Sequence, residues 1–159
     1  GDRMLGKQGK GFNEAMATLD GGRIGIAAQA LGLAEGAIDE TIAYTKERVQ
    51  FGRPIAKQQN TQFELADMHA RTTAAKYLVY AAAMKKQNHE AFGVDAAMAK
   101  LVAAETASDV TRRCVQLFGG YGYTRDYPVE RMMRDAKITE IYEGTSEVQR
   151  MVISGAIIK

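Results

Sequence analysis

The sequence predicts an all-α domain, an antiparallel (up-down) four-helix bundle. Ala, Met, Leu, Glu and Lys are common, proline occurs only twice and tryptophan is absent, a composition that favours helix. Apolar residues recur at spacings of three and four along several long stretches. No segment alternates with period two over a useful length, so no sheet is expected. The 159 residues make one domain by length, and 46% hydrophobic with 25% charged residues is ordinary for a globular chain with a core of its own.

Residues 1–11 are rich in glycine and lysine and read as a linker or the tail of a preceding β-domain, with the bundle occupying 12–159. The first residues, Gly1-Asp2-Arg3, include no initiator methionine, as a piece of a longer protein would show. From about Asn13 to Val49 the pattern is helical. Ile24, Ala27, Leu31, Ala34, Ile38 and Ile42 form one stripe; Ile26, Ala30, Leu33 and Ala37 form a second, so the helix should be covered on two sides. Gly32 and Gly36 share a face and are expected to admit a close neighbour. Phe51-Gly52-Arg53-Pro54 ends the helix. A second helix runs from about Gln58 to Gln87, with Leu65, Met68, Thr72, Ala75, Val79 and Ala82 in near-heptad spacing. Gly93 interrupts, and a third helix, about Val94 to Phe118, carries Ala103, Ala107, Val110, Cys114 and Leu117 as its seam. A short helix should start near Pro128, suited to a first turn, and end near Ile138. A last one spans about Ser146 to Ile158. This broken pair makes the fourth member of the bundle.

Several functions are disfavoured at once. A net charge of +2 is too small to argue for nucleic acid or a membrane surface. No apolar run approaches the roughly 18 residues of a bilayer span, and no signal-peptide pattern is visible. Cys114 is the single cysteine, which fits a reducing compartment, and the two histidines, His69 and His89, lie far apart, so no metal site is expected.

The chemistry concentrates at helix ends. Ile141-Tyr142-Glu143-Gly144-Thr145-Ser146-Glu147 sets a carboxylate behind two bulky apolar residues and ahead of a glycine, with Thr145 or Ser146 as N-cap of the last helix. Such a carboxylate, made more basic by burial, suits proton abstraction from carbon, while Gly144 leaves room for a ligand. The plainer reading is a glutamate favoured by the helix dipole, and that dipole would oppose basicity. Arg48, followed by Gln50-Phe51-Gly52-Arg53 and then Gln59, could pair with a phosphate while an aromatic ring packs on a base; equally, Arg48 could merely cap a helix C-terminus. Gln116-Leu117-Phe118-Gly119-Gly120-Tyr121-Gly122-Tyr123 exposes backbone amides to an anion, or is simply a C-cap and tight turn; it follows a helix and is no dinucleotide fingerprint. Asp20-Gly21-Gly22-Arg23 puts two glycines inside a helix, at a cost of roughly 1 kcal/mol each, implying that another helix or a ligand comes close. Arg131, Arg134 and Asp135 read as solvated or ion-paired surface.

Taken together and in order, these segments, with Arg134-Asp135-Ala136-Lys137, resemble the C-terminal domain of the acyl-CoA dehydrogenase family, over essentially the whole chain and with no evident insertion. The resemblance is to short- and medium-chain members of the butyryl-CoA type. It implies a four-helix-bundle domain that follows an N-terminal helical domain and a middle β-domain. It implies FAD as cofactor, a homotetramer, an acyl-CoA substrate oxidised to the trans-2-enoyl-CoA, and electron-transfer flavoprotein as electron acceptor. By position Glu143 would be the base that removes the α-proton. Arg48, Phe51, Gln59, Gln116, Leu117, Phe118, Gly119, Gly120, Thr145, Ser146 and Glu147 would contact FAD, several of them on a neighbouring subunit. Asp20, Gly21, Gly22, Arg23 and Gly144 would contact substrate. Some members of the family carry their base in the first helix, beside the arginine; here that position is Gly22, which leaves Glu143 without a rival. The expected location is the bacterial cytoplasm, or the mitochondrial matrix in a eukaryote. A non-catalytic oligomerisation module and a flavin oxidase relative, many of which use aspartate as base, are the alternatives.

Overall fold

The computed structural model describes residues 4–158, so residues 1–3 of the expected linker, and Lys159, lie outside the described residues. Among the described residues five α-helices follow in order: α1 (Gly11–Glu47), α2 (Gln59–Gln87), α3 (Gly93–Phe118), α4 (Val129–Thr139) and α5 (Ser146–Ile157). Side-chain contacts fix their directions. Tyr44 near the end of α1 stacks on Phe118 at the end of α3, with centroids 4.0 Å apart, and Asp20 packs beside Gly93 at the start of α3, so α1 and α3 run parallel. Lys86 near the end of α2 lies against Gly21, which makes α2 antiparallel to both. Tyr127, just ahead of α4, meets the rings of Tyr44 and Phe118, Met132 reaches Gly36, and the chain returns to Gly22 at Glu143. The expected up-down-up-down bundle results. α5 then packs on α3, Arg150 pairing with Glu105 at 2.5 Å.

The largest interface joins α1 and α3, and both helices bury alanines: Ala27, Ala30, Ala34 and Ala37 in one, Ala99, Ala103 and Ala107 in the other. Small side chains let two backbones approach, while Met68, Val79, Val110 and Val129 fill the remaining space, each worth about 1.5–3 kcal/mol of apolar burial. α1 meets α2, α3 and α4, which is why it carries two apolar stripes. Ile26 and Leu33 of the second stripe, and Leu65 and Leu117 of the other seams, are only half-buried.

Two expectations need correction. Gly32 is exposed and a β-carbon there would meet nothing within 4 Å, whereas Gly36 faces Met132 of α4; only one of this glycine pair admits a neighbour. The segment after α1 is also more than a helix break. Val49–Gln50 (β1) pairs antiparallel with Arg53–Pro54 (β2), with Val49 opposite Pro54 and Gln50 opposite Arg53. The two turn residues, Phe51 and Gly52, both have positive φ (55° and 76°), as a two-residue hairpin loop of the primed type demands. Ladders this short carry no periodicity for a sequence to reveal.

Candidate active site and cofactor groove

The turn between α4 and α5 delivers Glu143 to the early part of α1. Its side chain is half-buried, and a β-carbon built on Gly22 would lie 2.5 Å from Oε2 and 3.0 Å from Cδ of Glu143. The glycine in α1 is therefore a notch for the carboxylate. Gly21 similarly faces Nζ of Lys86. The helix-breaking cost of this glycine pair is thus explained by side chains of the chain itself. Beside the notch, Arg23 is buried and pairs with Asp20 at 2.5 Å, while its Nε has no hydrogen-bond partner among the described residues.

Glu143 and Gly144 both sit at positive φ, 54° and 87°. For a glutamate that conformation costs of order 1 kcal/mol or more and must be held by its surroundings. Four bonds hold it. Lys100 of α3, fully buried, donates from Nζ to the Gly144 carbonyl at 2.8 Å. Gln149 of α5, also fully buried, donates from Nε2 to the carbonyls of Glu143 (3.2 Å) and Gly144 (2.8 Å). The Ser146 amide donates to the Glu140 carbonyl at 3.0 Å. Burial pushes the Lys100 ammonium below the usual lysine range, with Arg23 adding to that effect and Glu140, Glu147 and Glu143 opposing it.

The N-terminus of α5 is served by other residues. Thr145 is its N-cap, the hydroxyl accepting from the Val148 amide at 3.4 Å. Glu147 occupies the first turn and is held below the usual carboxylate range by backbone N–H donation and the Thr145 hydroxyl. Glu147, in the first turn, is thus the carboxylate that meets the dipole of this helix. Ser146 is buried, its hydroxyl without a partner among the described residues.

A second concavity of about 560 Å³ opens at the far end of α1, lined by Tyr44, Arg48, Gln50, Phe51, Ile55, Gln116–Tyr121 and Thr124. It unites Arg48, Phe51, Gln116, Leu117, Phe118, Gly119 and Gly120 of the expected cofactor contacts. Gln59, exposed as the first residue of α2, does not line it, and Thr145–Glu147 lie at the opposite end of the bundle. The Arg48 guanidinium rests over the Tyr121 ring, 5.3 Å from its centroid. Phe51, 94% exposed, stands at the hairpin tip. The glycines divide by role. Gly119 caps α3 with φ 62°. Gly122 is forced, because a β-carbon there would lie 2.6 Å from the Val115 carbonyl oxygen. Gly120 has ordinary φ and open space around its missing side chain, which leaves its backbone accessible from the groove.

Arg134 pairs with Glu130, and Arg131 and Asp135 are exposed, as expected of surface. Cys114 is free and buried, its thiol pushed up to about 11 by desolvation. No described helix is long and apolar enough to cross a membrane. Lys100 and Gln149 are the site residues that sequence reasoning missed. Lys100 had a signal: it lies four residues after buried Ala96 and three before buried Ala103, within an apolar seam. Gln149 had none beyond its spacing of three from Ser146.

This bundle, with a carboxylate at a glycine notch and an aromatic, arginine-lined groove, is that of a known class. The profile of the acyl-CoA dehydrogenase C-terminal domain matches residues 9–158, and the chain belongs to that family. It is 66% identical to the short-chain-specific acyl-CoA dehydrogenase of Clostridium acetobutylicum, over 99% of this chain and 42% of that protein. Butyryl-CoA dehydrogenase from Megasphaera elsdenii superposes with a TM-score of 0.97 at 60% identity, covering 98% of this chain and 41% of that one. A chain in a structure described as the electron-transferring flavoprotein of Acidaminococcus fermentans superposes with a TM-score of 0.96 at 59% identity, covering 98% and 41%. The chain spans about two-fifths of the length of these relatives.

Proposed function

We propose that the chain is the C-terminal domain of an FAD-dependent acyl-CoA dehydrogenase that oxidises a short- or medium-chain acyl-CoA to the trans-2-enoyl-CoA. The observation that carries this reading is the Glu143 carboxylate seated against Gly22, between α1 and a turn fixed by buried donors. Glu143 would accept the α-proton. The α-carbon's electron pair becomes the new double bond as the β-hydrogen departs with its electrons. FAD, when bound, supplies the acceptor for that hydride.

The chain's own residues do the rest. Gly22 lies against the carboxylate, and together with Asp20, Gly21, Arg23 and Gly144 it would orient the substrate, while the Tyr142 hydroxyl, donating to Gln29 at 2.6 Å, fastens the turn's other side. The groove at the far end fits a phosphate-bearing aromatic ligand: Arg48 offers a cation, Phe51 an exposed ring, and Gly120 a backbone that can be closely approached. Gln59, Thr145, Ser146 and Glu147 remain as proposed flavin contacts outside that groove.

Gly22 and Arg48 are separated by 26 residues of sequence along α1 and its C-cap, roughly 39 Å at 1.5 Å per residue, more than one extended dinucleotide spans. One flavin cannot meet both ends of a single chain. That supports a homo-oligomer, a tetramer in this reading, in which the groove serves a neighbouring copy's cofactor. Electron-transfer flavoprotein is the proposed electron acceptor, supported by the Acidaminococcus structure's description, and the cytoplasm is the proposed location.

The test is Glu143→Gln in the full-length enzyme. Flavin content should hold while bleaching of the flavin band by butyryl-CoA slows by at least about 10²-fold, within the usual contribution of a positioned base. Undiminished bleaching rejects the assignment.

A further inference from the structure

Lys100 carries a positive charge into a fully buried position in α3, where an unbranched apolar residue would pack at lower cost. Its ammonium spends a hydrogen bond on a backbone carbonyl 44 residues away in sequence, that of Gly144. Gln149 approaches the same carbonyl from α5, and its second bond goes to the carbonyl of Glu143. The two carbonyls clamped in this way belong to the two consecutive residues at positive φ. A charged donor makes the stronger bond, and it ties the turn to the central helix of the bundle as well as to the short helix that follows.

We infer that Lys100, together with Gln149, is a positioning residue for the reaction: the pair clamps the Glu143–Gly144 turn so that the carboxylate of Glu143 stays in the notch at Gly22. This rests on Glu143 being the base. Lys100 itself touches no substrate atom in this account. With the clamp released, the turn relaxes toward ordinary φ, the carboxylate leaves its place, and proton abstraction slows, while the groove at the far end of α1 is unchanged.

The full-length flavoenzyme tests this with Lys100→Met, which keeps an unbranched stem and removes the ammonium, and with Gln149→Leu. Flavin content, KM for butyryl-CoA, the rate of flavin reduction at saturating substrate, and the isotope effect with 2,2-dideuterated butyryl-CoA are read in each. For Lys100→Met, flavin content should stay within twofold of wild type, and KM should change less than the reduction rate does. The reduction rate should fall at least tenfold and the α-deuterium effect should rise, because transfer to a displaced base limits the rate more strongly. A general loss of stability would not raise that effect selectively. Gln149→Leu should show the same pattern with a smaller loss, and the double variant should be less impaired than the product of the two single losses, since both residues hold one carbonyl. A reduction rate and isotope effect within twofold of wild type in Lys100→Met overturn the inference; if that variant loses its flavin, the same outcome in Gln149→Leu overturns it. Glu143→Gln measured alongside separates the two readings. If it reduces its flavin normally, the proposed function has failed; if it is inert while the clamp variants match wild type, only the positioning role has failed.

Discussion

The Phe51–Gly52 and Glu143–Gly144 turns share one unusual backbone conformation, a bulky residue and then a glycine, both at positive φ. They are stabilised in different ways. At Phe51 the hairpin ladder itself supplies the constraint, and the ring is left exposed. At Glu143 there is no ladder. Side chains from α3 and α5, fully buried, hold the carbonyls from outside the turn. The first arrangement is local and presents a residue to whatever approaches; the second is tertiary and fixes a residue against its own fold. In the proposed roles, a contact surface tolerates some freedom at a hairpin tip, whereas a base must be positioned to within a fraction of an ångström.

The sharpest way to break this contrast is to fill the notch. Gly22→Ala places a β-carbon 2.5 Å from Oε2 of Glu143, too close for either to stay where it is. The far end of a side chain can swing aside, and alanine favours helix over glycine by about 1 kcal/mol. The variant should therefore unfold no earlier than wild type in a thermal melt, yet reduce its flavin at least about tenfold more slowly, in line with the cost of a misplaced catalytic group. A melt lowered together with activity would make the notch a packing feature instead.

Substituting the two turn glycines tests the difference directly. Gly52→Ala meets nothing within 4 Å and should cost only the left-handed conformation, about 1 kcal/mol. Gly144→Ala bears the same backbone penalty and also drives a β-carbon to 2.8 Å from Nε2 of Gln149, so about 2–3 kcal/mol is expected once the clamp's hydrogen bond is disturbed. Urea unfolding of the two variants should rank them in that order. Equal losses would show that the buried clamp adds nothing to the turn.

The smallest effect lies away from both turns and serves as their control. Arg113 bridges Glu64 (2.5 Å), Asp67 (2.6 Å) and Asp109 (3.3 Å). The Arg113 hydrogen bond holds the Asp67 carboxyl below its ordinary value, with Arg71 assisting. A depressed carboxylate contributes stability that is present above its unfolded value, near pH 3.8, and lost as pH falls through the lower folded value. Acid titration followed by circular dichroism should show a loss in that range that Arg113→Met diminishes. Neither turn should respond, since neither is tied to this network.

Much of the fold was legible in the residues. The stripes of α1, α2 and α3 follow the 3.6-residue period closely enough to set helix limits within about two residues. Gly119 marks a helix end by its chemistry, whereas Thr145 and Ser146 were equal candidates for the start of the last helix until the structure chose Thr145. The hairpin at Val49–Pro54 escaped because two-residue strands have no period, and Gly32 was misjudged because a shared face says nothing about which face is covered. In the site, Asp20–Arg23, Arg48, Gln116–Gly120 and Glu143 stand out by residue type and motif. Lys100 was hidden because lysine in a helix is ordinarily solvated; only its place in an apolar seam hinted otherwise.

What the sequence determined by itself was therefore periodic or local: helix lengths, caps, glycine turns and a carboxylate ahead of the last helix. These depend on neighbours within about four positions, and the chain states them in order. The tertiary structure decided that Glu143 meets Gly22, that a buried ammonium grips the carbonyl beside it, and that the groove lies at the opposite end of α1. Those facts arise from packing between helices distant in sequence, where backbone geometry and excluded volume choose the partners.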